Sequence, residues 1–158
     1  MPSRDRSDSP GVRFPPPLLY IAVLALGLWM GSQYPLLALL SNLAWGLGGA
    51  LLAAGIALGP IWGIRTLRAA GTTVRPDRAT TKLVTDGPYR FSRNPLYLAL
   101  SLMYAGIAIL VGSVWALVLL IPLTLFISNV VIRREEAYLL RAFGEEYARY
   151  KMHVRRWV

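Results

Sequence analysis

The chain of 158 residues reads as an all-α, polytopic membrane protein of about four helices, and two observations predict this. The first is the placement of charge. All 17 Lys and Arg residues fall within Arg4–Arg13, Arg65–Arg93 and Arg133–Arg156, while Phe14–Ile64 and Asn94–Ile132 contain no charged residue. The second is length: each uncharged stretch accommodates two passes of ~20 residues through a hydrocarbon core of ~30 Å. A soluble fold gives no reason for such segregation. The net charge of +9 therefore points to loops facing anionic head groups rather than to nucleic acid.

Taken in order, residues 1–13 are polar, precede Pro15-Pro16-Pro17 and read as a disordered tail, with no cleaved signal peptide expected. Residues 14–158 then form one membrane-embedded domain. The first helix is expected over about 18–32, ending at Gly31-Ser32-Gln33-Tyr34-Pro35, where Pro and Gly cluster with a polar Gln. The second is expected over 36–64. It carries Gly46, Gly48, Gly49, Gly55 and Gly59, small residues that let helix backbones approach closely in lipid. A polar loop follows over 65–94. Pro95 suits the first turn of a third helix, 95–111, and Gly112-Ser113 separates it from a fourth, 114–143, which leaves the membrane near Arg133. Gly144 is a plausible helix cap, and a C-terminal segment occupies 144–158. The turns between helices in each half lack charge, whereas the tail, the middle loop and the C-terminus are basic. The positive-inside rule then places both termini and the middle loop in the cytoplasm.

Chemistry has few residues to draw on. Cysteine is absent and His153 is the one histidine, which excludes thiolate chemistry and histidine-based metal clusters within a single chain. Carboxylates, guanidinium groups, tyrosines and a Gly-Pro turn meet in three segments, 83–90, 92–97 and 133–150. They contain no nucleophile–base pair. Such an inventory suits a reaction in which a cofactor carries the chemistry and the protein supplies position and field.

Leu-Val-Thr-Asp-Gly-Pro-Tyr-Arg-Phe-Ser-Arg-Asn-Pro-Leu-Tyr (83–97), followed by Glu-Glu-x-x-Leu-x-x-x-Phe-Gly-x-x-Tyr-x-x-Tyr (135–150) and Val-Arg-Arg-Trp (154–157), resembles the isoprenylcysteine carboxyl methyltransferase and phospholipid methyltransferase superfamily. The resemblance covers roughly residues 64–158. It implies methyl transfer from S-adenosyl-L-methionine to a lipophilic or membrane-associated acceptor, with membrane lipids as surroundings. The cofactor would meet Leu83, Val84, Gly87, Tyr89, Arg93, Asn94, Pro95, Tyr97, Glu135, Glu136 and Tyr150. Backbone groups of Leu83, Val84 and Gly87 would line the adenosine, and Tyr97 and Tyr89 would lie near the sulfonium, a cation–π contact of ~0.5–2 kcal/mol. Glu135 or Glu136 would pair with a cofactor cation and Arg93 with its carboxylate. Glu136 and Arg133 are the catalytic candidates, Arg133 as the group orienting an anionic acceptor.

Plainer readings stand beside these. On the plainer reading the two glutamates only pair with neighbouring arginines; adjacent helical residues point ~100° apart, so both are not expected to face one ligand. Tyr147, Tyr150 and Trp157 read equally as interface anchors. Prenylcysteine enzymes typically carry Arg-His-Pro where this chain has Arg93-Asn94-Pro95, which is nearer to the broader phospholipid-methyltransferase-like members. Ala99 replaces a usual glycine and is expected to narrow a pocket by one methyl group. A partner-docking membrane protein and a nicotinamide-dependent reductase are the competing functions.

Overall fold

A computed structural model of the protein describes residues 15–34, 42–72 and 82–158, and among these it is all-α, with no strand. Helix α1 is Pro16–Gln33, α2 Asn42–Ile56, α3 Ile64–Ala69, α4 Pro95–Val111, α5 Val114–Phe126 and α6 Arg133–His153. Wider π-helical segments, Ala57–Gly63 and Ile127–Ile132, join α2 to α3 and α5 to α6, and a 3-10 turn, Gly87–Arg90, precedes α4. Three continuous helical rods are long and apolar enough to cross a membrane: Pro16–Gln33, Asn42–Ala69 and Val114–His153. The apolar α4 adds 17 residues, a rise of about 26 Å.

The tail over 1–13 and the expected start of the second helix at 36 lie outside the described residues. The second rod runs beyond Ile64 to Ala69, so the polar connection expected to begin at 65 opens as helix. Nothing in Ile64–Ala70 breaks a helix; Gly71, at φ 71°, does. Pro60 lies within this rod and Pro122 within α5. A proline in a helix lacks a donor and crowds the preceding turn. Pro60 falls inside the widened Ala57–Gly63 segment, where looser winding accommodates that mismatch.

Helix α2 packs along α4, and α1 packs against α5. The α2–α4 seam is so close that glycine is required. A Cβ on Gly48 would lie 3.0 Å from the Gly106 carbonyl oxygen, and one on Gly55 would lie 2.8 Å from the Ala99 carbonyl oxygen. Gly46 and Gly49 face open space. Of the six glycines on this rod, Gly48, Gly55, Gly59 and Gly63, the last against Leu96, are therefore the packing residues. Ala99 belongs to the same seam: a Cβ on Gly59 would meet the Ala99 methyl at 2.7 Å. The expectation that Ala99 narrows a ligand pocket is thus corrected, because its methyl is absorbed opposite Gly59.

Ser113 ties the other pair together. Its Oγ accepts from Ala116 N at 3.3 Å, capping α5, and donates to the Gly27 carbonyl of α1 at 3.1 Å. Tyr20, Tyr104, Ala108, Ala116 and Ile127 fill the interior between α1, α4 and α5. Large apolar side chains such as Leu18, Ile21, Ile121 and Leu125 point outward, the inverse of a water-soluble surface and the arrangement expected toward lipid.

Gly55→Ala should destabilise the detergent-solubilised protein by about 1–3 kcal/mol through overpacking. Gly49→Ala should be neutral or slightly stabilising, because alanine is the better helix former by roughly 1 kcal/mol. Thermal unfolding of both variants checks the phase of the seam.

Candidate functional site

The apolar run of the last rod stops at Ile132, and the first turn of α6 beyond it carries Arg133, Arg134, Glu135 and Glu136. The two carboxylates diverge as helical geometry requires. Glu135 accepts a hydrogen bond of 2.7 Å from the Tyr97 hydroxyl, which projects from the first turns of α4. Glu136 is buried and takes the other direction, toward Arg93 and Arg156.

Arg156 clasps Glu136 with two bonds, Nε to Oε1 at 3.0 Å and Nη2 to Oε2 at 2.7 Å. Arg93 Nη1 lies 3.0 Å from the same Oε1, and both Arg93 and Glu136 side chains are nearly excluded from solvent. Arg156 Nη1 also reaches Ser128 Oγ, in the π-helical segment Ile127–Ile132, at 3.4 Å. The hydrogen bonds to Glu136 raise the pKa of Arg156, and this guanidinium remains charged. A buried carboxylate stripped of such partners would be costly, so each of the three side chains depends on the others.

The residues that bring Arg156 there lie at the end of the chain. Gly144, at φ 51° and ψ −124°, breaks the regular path of α6, a conformation open to glycine. The second half of α6 then carries Tyr147 to the Arg93–Glu136 cluster and Tyr150 onto the 3-10 turn, where the Tyr150 hydroxyl donates to the Tyr89 carbonyl at 2.6 Å. Past His153 the chain runs along the Ser92–Asn94 turn. Arg93 N donates to the Arg155 carbonyl at 3.0 Å, and Asn94 Nδ2 and Ser92 Oγ donate to the Arg156 carbonyl at 3.0 and 3.3 Å. Trp157 packs against the core cluster that contains Tyr97, so it serves the interior as well as any membrane interface.

Burial sets the electrostatics. It pushes the Glu135 carboxyl up to about 7; the Tyr97 hydrogen bond opposes this shift and the neighbouring Glu136 reinforces it. Burial likewise raises the Tyr89 and Tyr150 hydroxyls, so both are neutral donors at physiological pH. Among the described residues no cluster of acidic groups or histidine suits a metal ion. The arrangement offers a half-buried carboxylate beside aromatic hydroxyls and, next to it, an excess of guanidinium charge. Such charges would complement a ligand carrying both a cation and an anion.

The sequence profile of the family described as phospholipid methyltransferase matches residues 43–146, about two thirds of the chain. The chain belongs to that family. It is a family of membrane methyltransferases, and the match takes in α2, α4, α5 and the first half of α6. An uncharacterized protein of Haemophilus influenzae is 41% identical over 63 residues, which cover 40% of this chain and 100% of that protein. No solved structure matches significantly.

Of the residues expected at the site, the fold brings together Tyr89, Arg93, Asn94, Tyr97, Glu135, Glu136 and Tyr150. Pro95 begins α4 beside them. Leu83 is buried and Val84 half-buried in the irregular segment ahead of the 3-10 turn, and Arg133 is exposed at the start of α6. Gly87, at φ 59°, sits against α3: a Cβ there would meet Thr66 Oγ1 at 2.6 Å. Ser92, Ser128 and Arg156 were not anticipated. A sign of Arg156 was available in Val-Arg-Arg-Trp (154–157), a basic pair beside an apolar anchor, because a glutamate buried near a membrane requires a cation from somewhere.

Tyr150→Phe should cost about 1 kcal/mol, the usual net value of one hydrogen bond. It should also speed amide exchange in residues 87–94 while leaving α2 and α5 unaffected, as hydrogen-exchange mass spectrometry would record.

Proposed function

We propose that this chain is an S-adenosylmethionine-dependent methyltransferase acting on a lipophilic or membrane-associated acceptor. The observation that carries the reading is the meeting of Tyr97 and Glu135, from motifs far apart in sequence, at the polar end of the apolar helices. Three features suit the cofactor's own charges. Glu135 is a half-buried carboxylate with no cationic partner among the described residues, fit for a sulfonium or ammonium group. Arg93 Nε is buried without a hydrogen-bond acceptor, fit for a carboxylate. The neighbouring tyrosines offer aromatic faces. Bound there, the sulfonium supplies an electrophilic methyl group and departs as a neutral thioether.

The chain's residues contribute placement and field. Glu135, held by Tyr97, sets the position of the cation, and Tyr89 closes the same corner. Glu136, forked by Arg156, lies close beside Arg93 without closing on it. Backbone groups of Leu83, Val84 and Gly87 line the adenosine, with Asn94, Pro95 and Tyr150 fixing the turn between them. Arg133, exposed where the last rod leaves the apolar zone, orients an anionic acceptor arriving from lipid. Alignment of reacting groups contributes up to about 7–11 kcal/mol in favourable cases, so a protein without a dedicated nucleophile can still catalyse well. The basic segments support a cytoplasmic location for this end of the protein and for both termini, in a bacterial or archaeal membrane.

Calorimetric titration of the detergent-purified protein with S-adenosylhomocysteine and S-adenosylmethionine tests the reading. Saturable binding of both is expected, with Tyr97→Phe and Glu135→Gln weakening the methylated cofactor by about tenfold, the scale of one charge-assisted contact. Absence of binding by a folded, monodisperse sample would sink the proposal.

The pH dependence follows from Glu135. In the empty protein its carboxyl titrates at about 7, and only the ionised form attracts a cation. Protons therefore compete below that pH, and S-adenosylmethionine affinity should rise from pH 6 to pH 8, then level off. Glu135→Gln should flatten the profile. Tyr97→Phe, which removes the hydrogen bond that holds the carboxyl pKa down, should move the profile to higher pH.

A further inference from the structure

Arg93 has more donor capacity than its surroundings use. Its side chain is 9% exposed, and its Nη1 contact with Glu136 is close without the alignment of a hydrogen bond. Neither Nη1 nor Nε has a hydrogen-bond acceptor. A guanidinium beside a single carboxylate ordinarily closes a two-bond fork upon it. Here that fork belongs to Arg156, which occupies both Glu136 oxygens. Two guanidinium groups share one carboxylate, so one positive charge is left over in a largely buried place. The Tyr147 hydroxyl also faces Arg93, but it is neutral and leaves that excess in place.

The backbone keeps the two arginines from exchanging roles. Arg93 N is fixed to the Arg155 carbonyl, and the flanking Ser92 and Asn94 side chains are fixed to the Arg156 carbonyl. The two guanidinium groups thus approach Glu136 from a single clamped pair of chain segments. One is fully engaged and the other is not.

Building on the methyltransferase reading, we propose that Arg156 is a positioning residue: by engaging Glu136 it keeps the Arg93 guanidinium open as the site for the carboxylate of the cofactor's amino-acid moiety. Without Arg156, Arg93 and Glu136 would form a closed neutral pair and the anion site would vanish. The claim is specific to one part of the ligand. It requires that Arg156 matter to a ligand with a carboxylate and not to the same nucleoside without one. It also requires that the damage be reversed by removing the charge of Glu136, since that frees Arg93 again.

The test compares S-adenosylhomocysteine with 5′-methylthioadenosine, which lacks the amino-acid moiety, by calorimetry on the full chain in detergent. Arg156→Met should weaken S-adenosylhomocysteine by about tenfold and 5′-methylthioadenosine by less than about twofold. Glu136→Gln added to Arg156→Met should restore S-adenosylhomocysteine to within about threefold of the unmodified protein. Arg156→Lys, which keeps the charge and loses the fork, should fall between, and it carries the comparison if Arg156→Met is too unstable to titrate. Unchanged S-adenosylhomocysteine affinity in Arg156→Met overturns the inference. So does equal weakening of both ligands, or a double variant no better than Arg156→Met, since a purely structural role predicts those results. If the unmodified protein binds neither ligand, the methyltransferase reading itself fails.

Discussion

A carboxylate placed where an apolar helix ends has to be neutralised by groups that can reach it, and Glu136 is such a carboxylate. The two guanidinium groups that meet it come from the turn before α4 and from the residues after α6. Its requirement for countercharge therefore draws three separate stretches of chain to one point. The clamp of backbone and side-chain hydrogen bonds between 92–94 and 155–156 is the local consequence. Removing one partner of a buried ion group typically costs about 3–5 kcal/mol, a large share of a small protein's stability. The polar end of this molecule is organised around that constraint more than around any loop preference.

The apolar end obeys a different economy. In lipid there is little hydrophobic gain in bringing helices together, and close packing has to supply the attraction. The α2–α4 seam does so with Gly48, Gly55 and Gly106, whose missing side chains let backbones touch. On the other side, Gly27 against Ala116 and the Ser113 bonds serve the same end for α1 and α5. With α4 gripped on two flanks, Tyr97 enters the site on a rigid element. That rigidity matters, because a group meant to act by placement has to be held in place itself.

Much of this was legible in the sequence, for identifiable reasons. Segregated charge marks apolar passes because a charged side chain in hydrocarbon is expensive, and the signal survives without any structural knowledge. The bounds of α4 were legible because Pro95 and Gly112 have conformational demands that few contexts override. What remained hidden depended on phase or distance. The six glycines of the second rod look alike in sequence, and only the rotation of the helix separates Gly48 and Gly55 from Gly46 and Gly49. Glu135 and Glu136 are adjacent and chemically equivalent as text, and their division of labour follows from which way each faces. Arg156 shows in the sequence as half of a basic pair, but its role stayed hidden because its partners, Glu136 and Ser128, are remote in the chain. Ala99 was misplaced for a related reason: its counterpart, Gly59, is on another helix.

The two widened helical segments have a consequence for the molecule's tolerance of change. A regular helix turns by about 100° per residue, so an extra residue wound into one turn resets the angular setting of everything beyond it. The second rod presents Gly48 and Gly55 to α4 before Ala57 and Gly59 and Gly63 to it within the widened segment, and just beyond it Thr66 meets Gly87. The widened turn thus carries one contact face of a continuous helix from α4 on to the 3-10 turn. Losing a single residue between 57 and 63 would leave composition and hydropathy almost untouched while putting the two halves of the rod out of step.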